Sequence, residues 1–313
     1  MKIFHSDTFV LPLPPGHRFP MAKYALLRRR VEEEGLGGAD PLRVPGAATD
    51  HELATVHDRA YLDRVRTGRL SPAQVRRMGF PWSPELVERS RRSVGGTLEA
   101  GRAALDDGLG VNLSGGTHHA FPDRGEGFCV FNDVAVAARV VQQEGRARSV
   151  VILDLDVHQG NGTAAVFRAD PSVFTFSLHG ADNYPFRKEP GDLDVEIPDG
   201  AGDETFLEAA ERGVRKALAA SRPDLAIYLA GADPYRGDRL GRLGVSMAGL
   251  EARDRLVFQA CREAGLPVAV VMAGGYAPRV EDTVRIHLTT VRVAALFADG
   301  GREGRSATGG PTS

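Results

Sequence analysis

Cysteine is close to absent: Cys129 and Cys261 are the only two, and no CxxC pair occurs. That excludes a disulfide framework and a thiolate zinc site, and makes a reduced cytoplasm the expected compartment. No apolar run approaches the roughly 20 residues that span a bilayer, so no membrane association is expected. The opening Met1-Lys2-Ile3-Phe4-His5-Ser6-Asp7 meets charge too early for a secretory signal. An excess of charge of either sign is missing too, with 39 basic against 41 acidic residues and a net charge of −2. Such a balance sets up no global field for nucleic acid or anionic lipid, so direct nucleic-acid binding is not expected. Lysine is scarce (Lys2, Lys23, Lys188 and Lys216), and the arginines are scattered along the chain, which reads as the coding bias of a GC-rich genome.

Hydrophobic residues make up 42% of the 313, enough for a sizeable core. Apolar runs recur at Lys2–Phe4, Gly110–Leu113, Ser149–Leu155, Val173–Leu178, Leu225–Leu229 and Pro267–Met272. They are nearly continuous and do not alternate, as strands buried on both faces require. Helix-like segments fill the intervals: Met21–Glu34, Glu85–Asp106, Asn132–Glu144, Thr163–Arg168, Glu204–Ala220, Met247–Ala264 and Glu281–Ala298. This alternation predicts an α/β fold of three layers, a mostly parallel sheet between two layers of helices. Asp133 and Asp203 are placed to cap the helices that follow them. No repeat and no long linker divides the chain, so residues 1–298 are expected to form one domain. Asp299–Ser313, rich in Gly, Ser and Arg, is expected to be a flexible tail.

Polar residues collect where the apolar runs stop. Gly110–Leu113 leads into Ser114-Gly115-Gly116-Thr117-His118-His119, and Ile152–Leu155 into Asp156-Val157-His158-Gln159-Gly160-Asn161-Gly162. Phe174–Leu178 ends at His179-Gly180, Leu225–Leu229 at Ala230-Gly231-Ala232-Asp233, and Val268–Met272 at Ala273-Gly274-Gly275-Tyr276. In an open parallel sheet the carboxyl ends of the strands form the ligand crevice, so these segments mark a site. The sharpest is Asp154-Leu155-Asp156-Val157-His158. Period two puts 154, 156 and 158 on one side of an extended segment, where two carboxylates and an imidazole suit a divalent cation. A strand end whose Asp caps the next helix would look the same, and Asp233 either reaches the same point or caps a helix. His118-His119, beside glycines that let the backbone bend, fit metal ligands, a general acid–base pair or a surface loop. Tyr276 fits an oxyanion donor or a half-buried core aromatic. His57 and Tyr61 share a helical face by their spacing of four and read as structural. Cys129, between apolar neighbours, reads as an inert buried thiol. His5, His17 and His287 offer nothing beyond their presence.

Six blocks together resemble the histone deacetylase family, in its order. They are Gly115-Gly116-Thr117-His118-His119-Ala120, Gly127-Phe128-Cys129-Val130-Phe131-Asn132-Asp133, Asp154 to Gly162, Ser177-Leu178-His179, Ala230-Gly231-Ala232-Asp233 and Gly274-Gly275-Tyr276. Gln159, Asn161 and Gly237-Asp238-Arg239-Leu240-Gly241 are most similar to its class IV branch and bacterial relatives. The resemblance implies the arginase/deacetylase fold with about eight strands. It implies zinc, or Fe(II), held by Asp156, His158 and Asp233 with positions left open for water and substrate. Asp154 then moves behind the metal, to orient His118 and to share a K⁺ or Na⁺ ion with Asp156, His158, Ser177 and Leu178.

The implied reaction is hydrolysis of an acylated amine, either acyl-lysine or a small acylated amine such as an acetylpolyamine, with acetyl or longer acyl groups. His119 would handle the water proton, Tyr276 would donate to the oxyanion, and Gly127, Phe128 and Gly275 would line a substrate tunnel. His118 would pair with Asp154 and His119 with Asn161. A carboxylate partner favours imidazolium and an amide does not, so His118 is expected charged and His119 neutral. Two other readings compete. A binuclear manganese ureohydrolase of the same fold needs further carboxylates, but Gln159 and Asn161 follow His158, and Tyr235 stands two beyond Asp233. A non-catalytic acyl-lysine-binding scaffold would have lost a ligand or the tyrosine, and neither is lost.

Overall fold

The computed structural model describes residues 1–38 and 42–306. Its centre is a seven-stranded, wholly parallel sheet in the order β1-β2-β7-β6-β3-β4-β5. The strands are β1 (Lys2–Phe4), β2 (Leu109–Asn112), β3 (Val150–Asp154), β4 (Val173–Gly180), β5 (Leu193–Ile197), β6 (Leu225–Leu229) and β7 (Val268–Val271). All six expected runs are strands. The seventh, β5, escapes the criterion of a continuous apolar run because it is an edge strand that turns Asp194 and Glu196 to solvent. The described sheet is one strand short of the eight or so that the resemblance implied.

The helices are α1 (Ala22–Glu33), α2 (Asp50–Leu53), α3 (Arg59–Thr67), α4 (Pro72–Met78), α5 (Pro84–Asp107), α6 (Asp133–Gln143), α7 (Asn161–Phe167), α8 (Asp203–Ser221), α9 (Met247–Glu263) and α10 (Val280–Ser306). Strand parity decides which layer each side chain meets. Val151, Leu153, Ala226, Tyr228, Val268 and Val270 pack in one cluster with residues of α1, α8, α9 and α10. Val150, Ile152, Leu225, Ile227, Ala269 and Val271 pack in another with α5, α6 and α7. Burying a Val or Leu side chain in this way is worth about 1.5–3 kcal/mol. A third cluster, including Leu53, Tyr61, Val65, Met78, Phe80 and Phe131, holds α2, α3 and α4 against α5. Two of these three unexpected helices carry a readable start signal: Thr49 and Glu52 form a capping box, as do Ser71 and Gln74 ahead of Pro72.

Both expected caps are corrected. Asn132, not Asp133, caps α6 by accepting from the Ala135 amide at 3.1 Å. The N-terminal residue before α8 is Gly202, and Asp203 accepts instead from the amide and hydroxyl of Ser246, at 2.7 and 2.6 Å. In each case a neighbouring segment offers donors that the carboxylate takes in preference to its own helix, while its charge stays in the first turn where the dipole favours it. Helix α10 continues to Ser306, past the boundary expected after Ala298; residues 307–313 of the expected tail lie outside the described residues. No helix among the described residues is long and apolar enough to cross a membrane.

One line of register runs across the sheet. Asn112 pairs with Val271, Val271 with Leu229, Leu229 with Asp154, and Asp154 with Ser177. The carboxyl ends of β2, β7, β6 and β3 are therefore level, and the polar segments after them emerge side by side.

Candidate active site

Asp156, His158 and Asp233 each bring a donor atom within 4.8 Å of the others, and all three are buried. Backbone amides aim the carboxylates. Asp156 Oδ1 accepts from the His158 amide at 2.9 Å, Asp156 Oδ2 from the Gly274 amide at 2.7 Å, and Asp233 Oδ1 from the Val157 amide at 3.0 Å. The remaining Asp233 oxygen, Oδ2, is buried without a hydrogen bond, although His158 Nδ1 lies 3.2 Å away. A Cβ at position 274 would collide with that oxygen, so glycine there keeps the space open. Burial alone would drive protons off His158, but its bond to Asp156 and the adjacent Asp233 carboxylate outweigh burial and push its pKa up to about 10. Asp233 rises to about 7 through burial and the neighbouring Asp156 charge. Two carboxylates thus draw positive charge to one point beside an unpartnered oxygen, and this O, N, O set fits a divalent cation.

Asp154 does not join them, which corrects the ligand set offered by spacing alone. Its Oδ2 accepts from His118 Nδ1 at 2.6 Å and its Oδ1 from the Asp156 amide at 3.2 Å, so the carboxylate is already committed. Ser177 and Leu178 lie beside it on β4. Ser177 Oγ bonds His179 Nδ1 at 2.9 Å, while the Leu178 side chain is buried in the core. A cavity of about 10 Å³, the volume of one water or ion, touches Asp154 and Ser177.

The two histidines sit in different electrostatic settings. Burial opposes the charged form of His118, yet the Asp154 carboxylate prevails and raises its pKa to about 9. His119 Nδ1 donates to the Asn161 side-chain oxygen at 2.7 Å. Burial, then the charges of His118 and His158, hold His119 well below the usual histidine value. Burial, followed by the Asp233 and Asp156 charges, raises the Tyr276 phenol well above its usual range, so it keeps its proton.

Several residues support the site in ways that their place in the sequence does not reveal. Asp133 accepts from the amides of Gly116 and Thr117, at 3.0 and 2.6 Å, and so fixes the loop that presents the histidine pair. Asp238 accepts from the Tyr276 amide at 2.5 Å. Glu126 accepts from Tyr184 Oη at 2.6 Å and from Asn161 Nδ2 at 3.3 Å, while the Tyr184 ring packs edge-on to His119 at 5.1 Å. Nothing in the spacing of 126, 161 and 184 links them before the chain is folded. His287 is buried behind Gly275 with neither ring nitrogen hydrogen-bonded. His57 precedes α3 and so shares no helical face with Tyr61. Its role is nonetheless structural: it bonds the Phe121 carbonyl at 3.0 Å and accepts from the Asn132 amide at 2.9 Å. Cys129 is buried, and burial pushes its thiol well above the usual range.

Above the floor, a groove of about 760 Å³ is lined by His119, Gly127, Phe128, His158, Tyr184 and Tyr276 among others. Phe128 adopts a left-handed backbone, with φ 64°, uncommon for a bulky residue and frequent at functional sites. Its amide is anchored to the Met78 carbonyl at 2.9 Å, and its ring lies 6.0 Å from that of Tyr276. Gly275 is not among the lining residues. It backs onto Thr283 of α10 and Ala232 after β6, both of which a Cβ would meet.

Comparison with known proteins agrees with this architecture. The histone deacetylase domain matches residues 17–291. An uncharacterized protein of Picosynechococcus sp. is 44% identical over 292 residues, which are 93% of this chain and 97% of that one. The histone deacetylase-like amidohydrolase of Pseudomonas aeruginosa is 31% identical over 283 residues, covering 85% of this chain and 74% of the relative. Among solved structures, the HDA15 HD domain shares the fold with a TM-score of 0.77 at 24% identity, over 96% of this chain and 95% of that one. The family match encloses β2 to β7 and every residue of the floor, and this chain belongs to the histone deacetylase family.

Proposed function

We propose that the protein is a metal-dependent deacylase that hydrolyses the amide of an acylated amine, with zinc or Fe(II) held by Asp156, His158 and Asp233. Family membership and the amidohydrolase named among its relatives support amide hydrolysis. One juxtaposition carries the reading: a buried O, N, O donor set with an unpartnered carboxylate oxygen, beside a histidine that burial keeps neutral. A divalent cation bound there supplies Lewis acidity to the acyl carbonyl and acidifies water.

The chain's own groups do the rest. His119 keeps its Nδ1 proton on Asn161 and offers Nε2, which accepts the proton that water releases and returns it to the leaving amine. His118, held as imidazolium by Asp154, sets a fixed positive charge beside the reacting carbon. Tyr276 donates its phenol hydrogen to the carbonyl oxygen as that oxygen gains charge. Gly127 and Phe128 bound the passage that admits the acyl chain. By the family resemblance, Asp154, Asp156, His158, Ser177 and Leu178 would hold a K⁺ or Na⁺ ion; of these, Asp154 and Ser177 line the small cavity.

The test is a panel of acetyl- and long-chain acyl-lysine peptides and acetylpolyamines, assayed with enzyme loaded with Zn(II) or Fe(II). Turnover of at least one class is expected, reduced by about 10²–10³ in Tyr276→Phe. Turnover of none, with one metal bound per chain, overturns the proposal.

A further inference from the structure

The groove changes sign between its floor and its mouth. Around the opening stand Arg18, Arg76, Arg77, Arg239 and Arg242, and Asp182 is the one carboxylate residue outside the buried floor among those lining it. That is a formal excess of four positive charges on a chain whose total is −2. All five arginines are exposed. Arg242 pairs with Asp199 at 3.4 Å, and Arg239 donates to the Tyr276 carbonyl at 3.2 Å. Arg18, Arg76 and Arg77 have no carboxylate partner among the described residues, unlike Arg28, Arg102, Arg215 and Arg292 on other faces. Phe186, 81% exposed, stands at the same rim, its ring 6.3 Å from that of Tyr184.

We propose that this mouth selects acyl-lysine flanked by carboxylates, so that the substrate is an acidic acylated peptide and not a polycation. The inference rests on the deacylase reading and narrows it. Acylation removes the lysine's own charge, so the passage receives a neutral side chain and the mouth meets only what flanks it. Guanidinium groups in a concave opening attract carboxylates at long range and pair with them bidentately on docking. The same groups repel an acetylpolyamine, which keeps its remaining ammonium charges, and a Lys- or Arg-rich tail. These contacts form before and during reaction alike, so they act on KM and on capture more than on kcat. An exposed mouth also makes the preference sensitive to salt.

The experiment compares acetyl-lysine peptides that differ only in flanks of Glu, Gln or Lys, together with acetylspermidine, on the metal-loaded enzyme at low and high salt. Glu flanks are expected to exceed Lys flanks in kcat/KM by on the order of 10- to 100-fold at low salt, with the gap closing as salt rises. The Arg76→Glu/Arg77→Glu double variant is expected to shrink or invert the order, and a gain on Lys flanks shows the variant is folded. In parallel, anisotropy titration of labelled Glu- and Lys-flanked peptides with Tyr276→Phe enzyme reads capture without turnover. Equal affinity for both peptides, or tighter binding of the Lys-flanked one, overturns the charge proposal. Selective binding of the Glu-flanked peptide with no turnover by wild type leaves the charge proposal standing and overturns the deacylase reading.

Discussion

Asp154, Asp156 and Asp233 at the floor of the groove are almost wholly out of water, and every one has at least one oxygen aimed by a backbone amide. A short way above them, Arg18, Arg76 and Arg77 lie in solvent and hold no carboxylate among the described residues. The first kind of charge is expensive to bury and survives only where partners are fixed in advance. The second is cheap to display and free to meet whatever arrives. The floor therefore tolerates almost no substitution, whereas the mouth can be retuned without disturbing the fold.

The contrast is broken most severely by taking a donor from the floor. Asp233→Ala is expected to lose bound metal and to reduce turnover to background, and chelation of the wild-type protein should do the same, reversibly on adding Zn(II). Metal content by mass spectrometry beside activity checks both. Next, His119→Ala should lower kcat by about 10²–10⁴; if it keeps near wild-type turnover while His118→Ala abolishes it, the assigned roles are reversed.

A proton is the smallest charge that tests the same contrast. His57 supports the floor through Asn132, whose side chain also holds the Ala120 carbonyl at 3.1 Å. Burial lowers its pKa from 6.5 to about 4. Between those values the unfolded chain binds a proton that the folded one refuses, so stability is full above about 6.5 and falls as the pH drops toward 4. The share lost at His57 is on the order of 3 kcal/mol, read from denaturation midpoints across that window, and His57→Phe should remove that share while the buried His119 and His179 keep theirs. Smallest is Glu126→Gln. It keeps the bonding shape but removes the charge behind Asn161, and should change kcat by roughly 10-fold with KM little moved. An equal change in KM would place Glu126 in binding instead.

Legibility in the sequence followed the physics of each region. Strands buried on both faces announce themselves as unbroken apolar runs, and the alternation of strands and helices places the polar residues after them at one edge. An edge strand such as β5 obeys a different pattern, and Asp133 and Asp203 look like caps until the folded chain supplies better donors. Glu126, Asn161 and Tyr184 meet only through tertiary packing. The arginines mislead in the opposite way. Scattered along the chain, they read as compositional bias, yet folding brings residues 18, 76, 77, 239 and 242 around one opening. Global charge describes the whole molecule and says little about any one face.

The level row from Asn112 through Val271, Leu229 and Asp154 to Ser177 also limits how the chain can be altered. A side chain's layer depends on whether its position in the strand is odd or even, so a one-residue slip would turn Asp154 and Leu155 to each other's faces. Insertions within β3, β6 or β7 therefore scramble the chemistry even where hydrophobicity is preserved. Insertions in the turns feeding the amino ends of those strands leave the parity beyond them untouched. Tags, fused domains and new termini belong at that opposite edge, where the molecule can lengthen without its reactive groups registering the change.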